Sequence, residues 1–180
     1  MIPIYQIAAL SEGQGIAQKL FFEQYGSVMF RVAIRYIKER PDAEDLVADA
    51  FIKIFEEVKK KKTFESGEHF LAWCKRIVIN ECLGFLRKKV NFSMLPETDF
   101  ENELSIEANA ITDLSAAEIH QLISKLPAGC QTVFNLYAIE GFTHEEISQK
   151  LCISVGTSKS QLSRARSILQ QKIQQHKVLL

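Results

Sequence analysis

The stretch "TSKSQLSRAR", residues 157–166, combines short hydroxyls, an amide and the three positive charges of Lys159, Arg164 and Arg166. That mixture suits contact with nucleic acid. Lys and Arg meet phosphates or guanine edges, Gln can pair with adenine, and small hydroxyls let a helix approach the bases closely. From Ile147 to Leu180 there is no acid, and there are six basic residues: Lys150, Lys159, Arg164, Arg166, Lys172 and Lys177. Yet the chain is neutral, with 22 Lys+Arg against 22 Asp+Glu. The compensating acids concentrate upstream. Between Phe92 and Glu118 stand seven (Glu97, Asp99, Glu101, Glu103, Glu107, Asp113, Glu118), with no Lys or Arg. A neutral total thus conceals the charge asymmetry of a nucleic-acid binder.

The elements that must position this stretch are legible around it. "CIS" between Leu151 and Val155 joins two helices, and Ser154 is a good N-cap for the second. A short helix, a tight turn and a longer helix make a helix-turn-helix, whose second helix enters the major groove. Val155, Leu162, Ala165, Leu169 and Ile173 line the side facing the bundle. Thr157, Ser160, Gln161 and Arg164 fall at i, i+3, i+4 and i+7 on another side, with Lys159, Ser163 and Arg166 beside them. A merely solvated basic helix is the competing reading; the missing acids and the capped spacing favour DNA.

Two helix starts upstream carry the same device. Ser115 with Glu118 and Thr143 with Glu146 have the capping-box spacing, flanked by the apolar pairs Leu114/Ile119 and Phe142/Ile147. Four helices follow, near 116–125, 128–140, 144–151 and 155–174. In the N-terminal half, Leu20, Phe21, Val28, Val32 and Ile34–Ile37 predict a long helix ending near "ERPD". Pro41 predicts a break there, with Asp42 capping the next helix. Leu46, Val47, Ala50, Phe51, Ile54, Phe55 and Val58 give that helix its apolar face. "TFESGEH" ends it, and Phe70 to Leu86 forms another amphipathic helix. Residues 91–112 read as a solvated acidic linker. The fold class is therefore all-α: two small helical domains, 1–90 and 113–180, the second a four-helix domain with the helix-turn-helix.

Several classes drop out. No run of about eighteen apolar residues is present to insert in a membrane, and the N-terminus has no signal-peptide pattern. Cys74, Cys82, Cys130 and Cys152 form no C-x-x-C pair, which favours reduced thiols over a metal or disulfide role. No P-loop, H-E-x-x-H or G-x-S-x-G motif occurs, so neither an enzyme nor a cofactor is expected.

"LPAGCQTVFNLYAIEGFTHEEISQKLCISVGTSKSQLSRARSIL" (126–169) closely resembles the fourth conserved region of extracytoplasmic-function sigma factors. "DAEDLVADAFIKIF" (42–55) resembles the polymerase-binding helix of their second region, and "FLAWCKRIVINECLGFLRKK" (70–89) the helix after it. The resemblance covers both domains in order, about two-thirds of the chain. It implies a subunit that joins bacterial core RNA polymerase, recognises two promoter DNA elements and melts one of them. Asp45 and Asp49 would meet the polymerase, where the residues alone suggest only solvated acids. Lys159, Ser160 and Ser163 would read the minus-thirty-five element, with Thr157, Arg164 and Arg166 near its backbone. The loop Phe64–His69 would hold an extruded minus-ten base, with Arg76 and Asn80 on the adjoining helix. Trp73 would lie at the edge of the opened duplex, although core packing is the more natural use for it.

The same resemblance implies an anti-sigma factor as partner, a monomer when free, and a cytoplasmic bacterial location. "GTSKSQLSRAR" also resembles the versions found in Bacteroidetes. Departures stand at Ala48, where the family carries Gln or Glu, at Cys152 in place of a turn glycine, and at Ser158 and Gln161 in place of Val and Arg. The Cys152 departure predicts strain if that position has positive φ. The competing function is a free-standing helix-turn-helix regulator binding operator DNA; it lacks any use for the N-terminal half.

Overall fold

The computed structural model describes residues 2–60, 63–89 and 115–178. Among them all regular structure is helical, and the chain parts into two compact units after Leu86. The acidic stretch 91–112, with the Leu114 staple, lies outside the described residues.

The N-terminal unit has four helices: α1 (Ile4–Ser11), α2 (Gly15–Ala33), α3 (Arg40–Lys60) and α4 (Gly67–Lys89). The long helix expected from Leu20 to "ERPD" is α2, which stops short at Ala33, and α1, which the spacing argument did not include, precedes it. Gly13, at φ 76°, makes the turn between them. Beyond Ala33 the chain closes into tight turns, so that Tyr36 and Ile37 fold inward and are buried instead of extending the helix. Asp42 does not cap α3. The first helical hydrogen bond runs from the Ala43 N–H to the Glu39 carbonyl, which puts Pro41 and Asp42 inside the first turn. A first turn needs no N–H from Pro41, so proline is tolerated there. The core is aromatic: Phe21 lies 5.0–5.7 Å from the rings of Tyr25, Phe51 and Phe70, tying α2 to α3 and α4. Of the predicted α3 face, Val47, Ala50, Phe51, Ile54 and Val58 are buried while Leu46 and Phe55 are half-buried, and Ala43 is buried as well.

The C-terminal unit has α5 (Ala116–Ser124), α6 (Ala128–Phe134), α7 (His144–Leu151) and α8 (Val155–Val178). Both capping boxes form: Ser115 Oγ accepts the Glu118 N–H, Thr143 Oγ1 accepts that of Glu146, and each Glu returns to its cap N–H at 2.8 Å. The helix expected over 128–140 changes character at Asn135, where a π-helical turn runs to Ile139. It sends the Glu140 N–H back to the Asn135 carbonyl, five residues away, and leaves Tyr137 partly exposed. Helix α8 packs on α5, α6 and α7. Leu122, Ile123, Leu126 and Cys130 meet Ala165, Leu169 and Ile173 in one buried cluster.

Candidate nucleic-acid interface

Ser154 begins α8 by accepting the Thr157 N–H on its Oγ at 2.9 Å, as an N-cap should. The turn before it closes on Cys152, which adopts φ 56° and ψ 47°, the left-handed conformation in which a side chain is strained. The Ile153 N–H reaches the Ser148 carbonyl, completing the helix stop.

Which face of α8 looks outward differs from the spacing argument. Thr157 and Gln161 are buried, at 8% and 3% exposure, and Ser158 is fully buried. Each is used internally. Thr157 Oγ1 sits 2.9 Å from Ser154 Oγ, and Gln161 Oε1 accepts from the Cys130 thiol at 3.0 Å. Ser158 Oγ lies 2.9 Å from His144 Nδ1. The packing arc is wider than its apolar positions because α6 and α7 both rest on α8. The outward stripe is instead Lys159, Ser163 and Arg166, at i, i+4 and i+7. Lys159 and Arg166 are exposed and Ser163 is half-buried, with Ser160 and Arg164, also half-buried, at its edges. No carboxylate occurs on this helix, so nothing along it competes with a phosphate for these cations. The Arg166 guanidinium stands 5.9 Å over the Tyr137 ring, which in turn stacks on His144 at 4.7 Å. His144 and Tyr137 thus adjoin the outward stripe, although the sequence reading does not single them out; the histidine heading α7 after a capping threonine was the available signal.

In the N-terminal unit, Ser66 caps α4, accepting the His69 N–H on its Oγ at 3.1 Å. Phe64, half-buried, packs against His69, Phe70 and Trp73 with ring centroids 6.1, 4.9 and 5.2 Å away. Trp73 is half-buried against Phe64 and Phe70, so it serves the core with one part of its ring and reaches the surface with another. His69, Arg76 and Asn80 are exposed at i, i+7 and i+11 of α4, which puts them on one face of that helix. On α3, Asp45 and Asp49 are exposed one turn apart. Ile52 continues their stripe at i+7 with 56% exposure, an apolar surface residue among acids. Ala48 is exposed beside them.

Cys74, Cys82 and Cys130 are buried thiols, and only Cys152 is exposed among the four. Burial pushes the Cys82 thiol up to about 12 and Cys74 higher still, which leaves both protonated and unreactive. No cluster of His, Cys, Asp or Glu able to hold a metal ion occurs among the described residues, and none of their helices is long and apolar enough to cross a membrane.

Comparison with known proteins assigns the two units separately. Residues 21–91 match Sigma-70 region 2, and residues 116–169 match Sigma-70, region 4. The chain is 24% identical to the ECF RNA polymerase sigma-E factor of Haemophilus influenzae, covering 93% of both chains. It is 25% identical to the RNA polymerase sigma-H factor of Pseudomonas aeruginosa, covering 93% of this chain and 92% of that one. A solved structure of CnrH in complex with the cytosolic domain of CnrY aligns over 92% of each chain, at 23% identity and a TM-score of 0.47. A free-standing operator-binding regulator is not favoured, since such a protein leaves region 2 without a counterpart. With both regions present in order over more than two thirds of its length, the chain belongs to the sigma-70 family of RNA polymerase sigma factors, of the extracytoplasmic-function type.

Proposed function

We propose that this sigma factor divides its work between three surfaces. The exposed acids Asp45 and Asp49 on α3 dock on a basic face of core RNA polymerase. Lys159 and Ser163 of the outward stripe, with Ser160 at its edge, read the minus-thirty-five element in the major groove, with Arg164 and Arg166 against its phosphates. Thr157, bound to the Ser154 cap, supports the backbone contact through the start of α8 rather than through its side chain. The Phe64–Ser66 loop and the first turn of α4 as far as His69, which the sequence reading took for one loop, receive an extruded minus-ten base, with Trp73, Arg76 and Asn80 beside them. Polar side chains read the exposed edges of such a base, and rings such as Phe64 offer it a stacking surface.

The observation that carries this reading is the separation of charge by unit: exposed acids along α3, and an acid-free basic stripe along α8. A DNA-only binder has no use for the first surface. On this reading the chain has domains 1–90 and 113–180 with 91–112 as linker, and is an initiation factor with no catalytic centre of its own. It also takes the free chain to be a monomer in the bacterial cytoplasm, held by an anti-sigma factor, as the sequence resemblance implies.

Run-off transcription tests it. Purified chain added to core polymerase should yield transcripts with defined starts from a subset of promoter fragments, and core polymerase alone should not. Tight binding to duplex operators without polymerase, and no transcript with it, would return the protein to the regulator class.

A further inference from the structure

The region 2 match begins at residue 21, yet the chain before it is built into the unit. Ile2 is 1% exposed, and Ile7 and Leu10 are buried where α1 packs on α2 and α3. One close approach is at Gly67, the first residue of α4. A Cβ placed there would run into the carbonyl oxygen of Ile2, and would lie 3.0 Å from the Ile2 side chain. Backbone on backbone cannot give way as a flexible side chain can, so this position accepts only glycine while Ile2 is in place. Gly67 follows the Ser66 cap and precedes His69, whose N–H that cap binds. The segment is therefore held at two points, by Ile2 at Gly67 and by the Phe70 and Trp73 rings at Phe64.

We propose that the N-terminal segment is a buttress: Ile2, seated on Gly67, positions the Phe64–His69 segment for capture of the minus-ten base. The inference rests on the proposed role of that segment. Gly67 and Ile2 are positioning residues and touch no base themselves. A receptor segment held at two points keeps its geometry before the base arrives, and small displacements of such a shell are costly.

Gly67→Ala in the full chain is the test, beside a chain whose residues 1–3 are replaced by a single methionine, which removes Ile2. Ala is the better helix former, so without the buttress Gly67→Ala should raise the melting temperature. With it, the substitution lowers the melting temperature in the full chain and raises it in the shortened one. Promoter opening, read by permanganate reactivity of unpaired thymines, should fall roughly tenfold or more in Gly67→Ala. Affinity for core polymerase and closed-complex formation should hold, which a general loss of folding would not allow. A rise in melting temperature in both backgrounds overturns the contact. Unchanged opening in Gly67→Ala, while Phe64→Ala loses it, overturns the positioning role and leaves the base-capture reading standing. Unchanged opening in Phe64→Ala as well overturns base capture, and the buttress proposal with it.

Discussion

At the level of single residues, the helix-turn-helix carries one strained position and one proton-sensitive one. Cys152 holds φ 56° with a Cβ that glycine would lack. Its thiol is exposed, its nearest polar contact being the Gln149 carbonyl at 3.8 Å, so little packing offsets the strain. Cys152→Gly should stabilise the C-terminal unit by about 1 kcal/mol, seen as a higher urea midpoint, while Cys152→Ala should not. Equal midpoints for the two variants would mean the left-handed turn costs nothing here. His144 is the other case. Burial first, then the positive charge of Lys159 and Arg166, hold its imidazole below the ordinary 6.5, against an opposing pull from Glu145. The Tyr137 ring and Ser158 hydroxyl complete its surroundings. The folded state then binds fewer protons than the unfolded one below that value. Its contribution is fully present above pH 6.5 and is lost as the pH falls through the lower folded value. Melting temperature should therefore decline between about pH 7 and 5.5, above the range where carboxylates titrate. His144→Gln keeps a group that can bond Ser158 but cannot titrate, and should flatten the decline. The same slope in both proteins would assign the pH response elsewhere.

At the level of elements, α3 offers the sharpest test, because its two faces have separate jobs. Ala43, Val47, Ala50, Ile54 and Val58 are spent on the core, leaving Asp45, Asp49 and Ile52 outside. Reversing Asp45 and Asp49 to Lys turns attraction into like-charge repulsion at a basic partner. Core polymerase should then bind roughly 3 kcal/mol more weakly, about a hundredfold. The helical circular dichroism should hold, since exposed positions rarely govern folding. Undiminished affinity would remove both acids from the polymerase surface. The inward face of α3 and both capping boxes are legible in sequence because they depend on residues three and four apart. Features set by another element are not. Nothing in the α8 periodicity says that α6 will claim Gln161 through Cys130, or that α7 will claim Ser158 through His144. Polar side chains at helical spacing look solvent-facing until the neighbouring helix is known, so the outward stripe shifted to Lys159, Ser163 and Arg166. Asp42 shows the same limit in reverse: Pro41 reads as a helix breaker, but it fits a first turn equally well, and only the backbone chooses. The strain at Cys152 was legible, since the family resemblance marks that turn as a glycine position.

At the level of the whole molecule, zero net charge is the sum of two opposed regions, and DNA affinity should reflect how they are connected. The acids of residues 91–112 precede a unit whose last 34 residues carry six cations and no acid. If those acids fold back onto the same cations in the absence of polymerase, they compete with phosphate for them. A fragment covering residues 112–180 loses five of them (Glu97, Asp99, Glu101, Glu103 and Glu107) and keeps the buried cluster of α5, α6 and α8 that folds the unit. It should bind duplex DNA at least as tightly as the full chain. If about four cations meet phosphates, log affinity should fall with log salt at a slope near −3.6. That corresponds to roughly a hundredfold loss between about 50 and 200 mM salt. Lys159, exposed at the centre of the outward stripe, decides between recognition and simple attraction. If it reads a base, Lys159→Ala should cost about 1–3 kcal/mol and relax specificity at one position. If it meets only phosphate, all sequences should weaken alike and the slope should flatten by about one. Titration of matched and scrambled promoter duplexes at several salt concentrations separates the two. A slope near zero for the fragment would make the acid-free helix a solvated surface, and DNA recognition would have to be sought in the N-terminal unit alone.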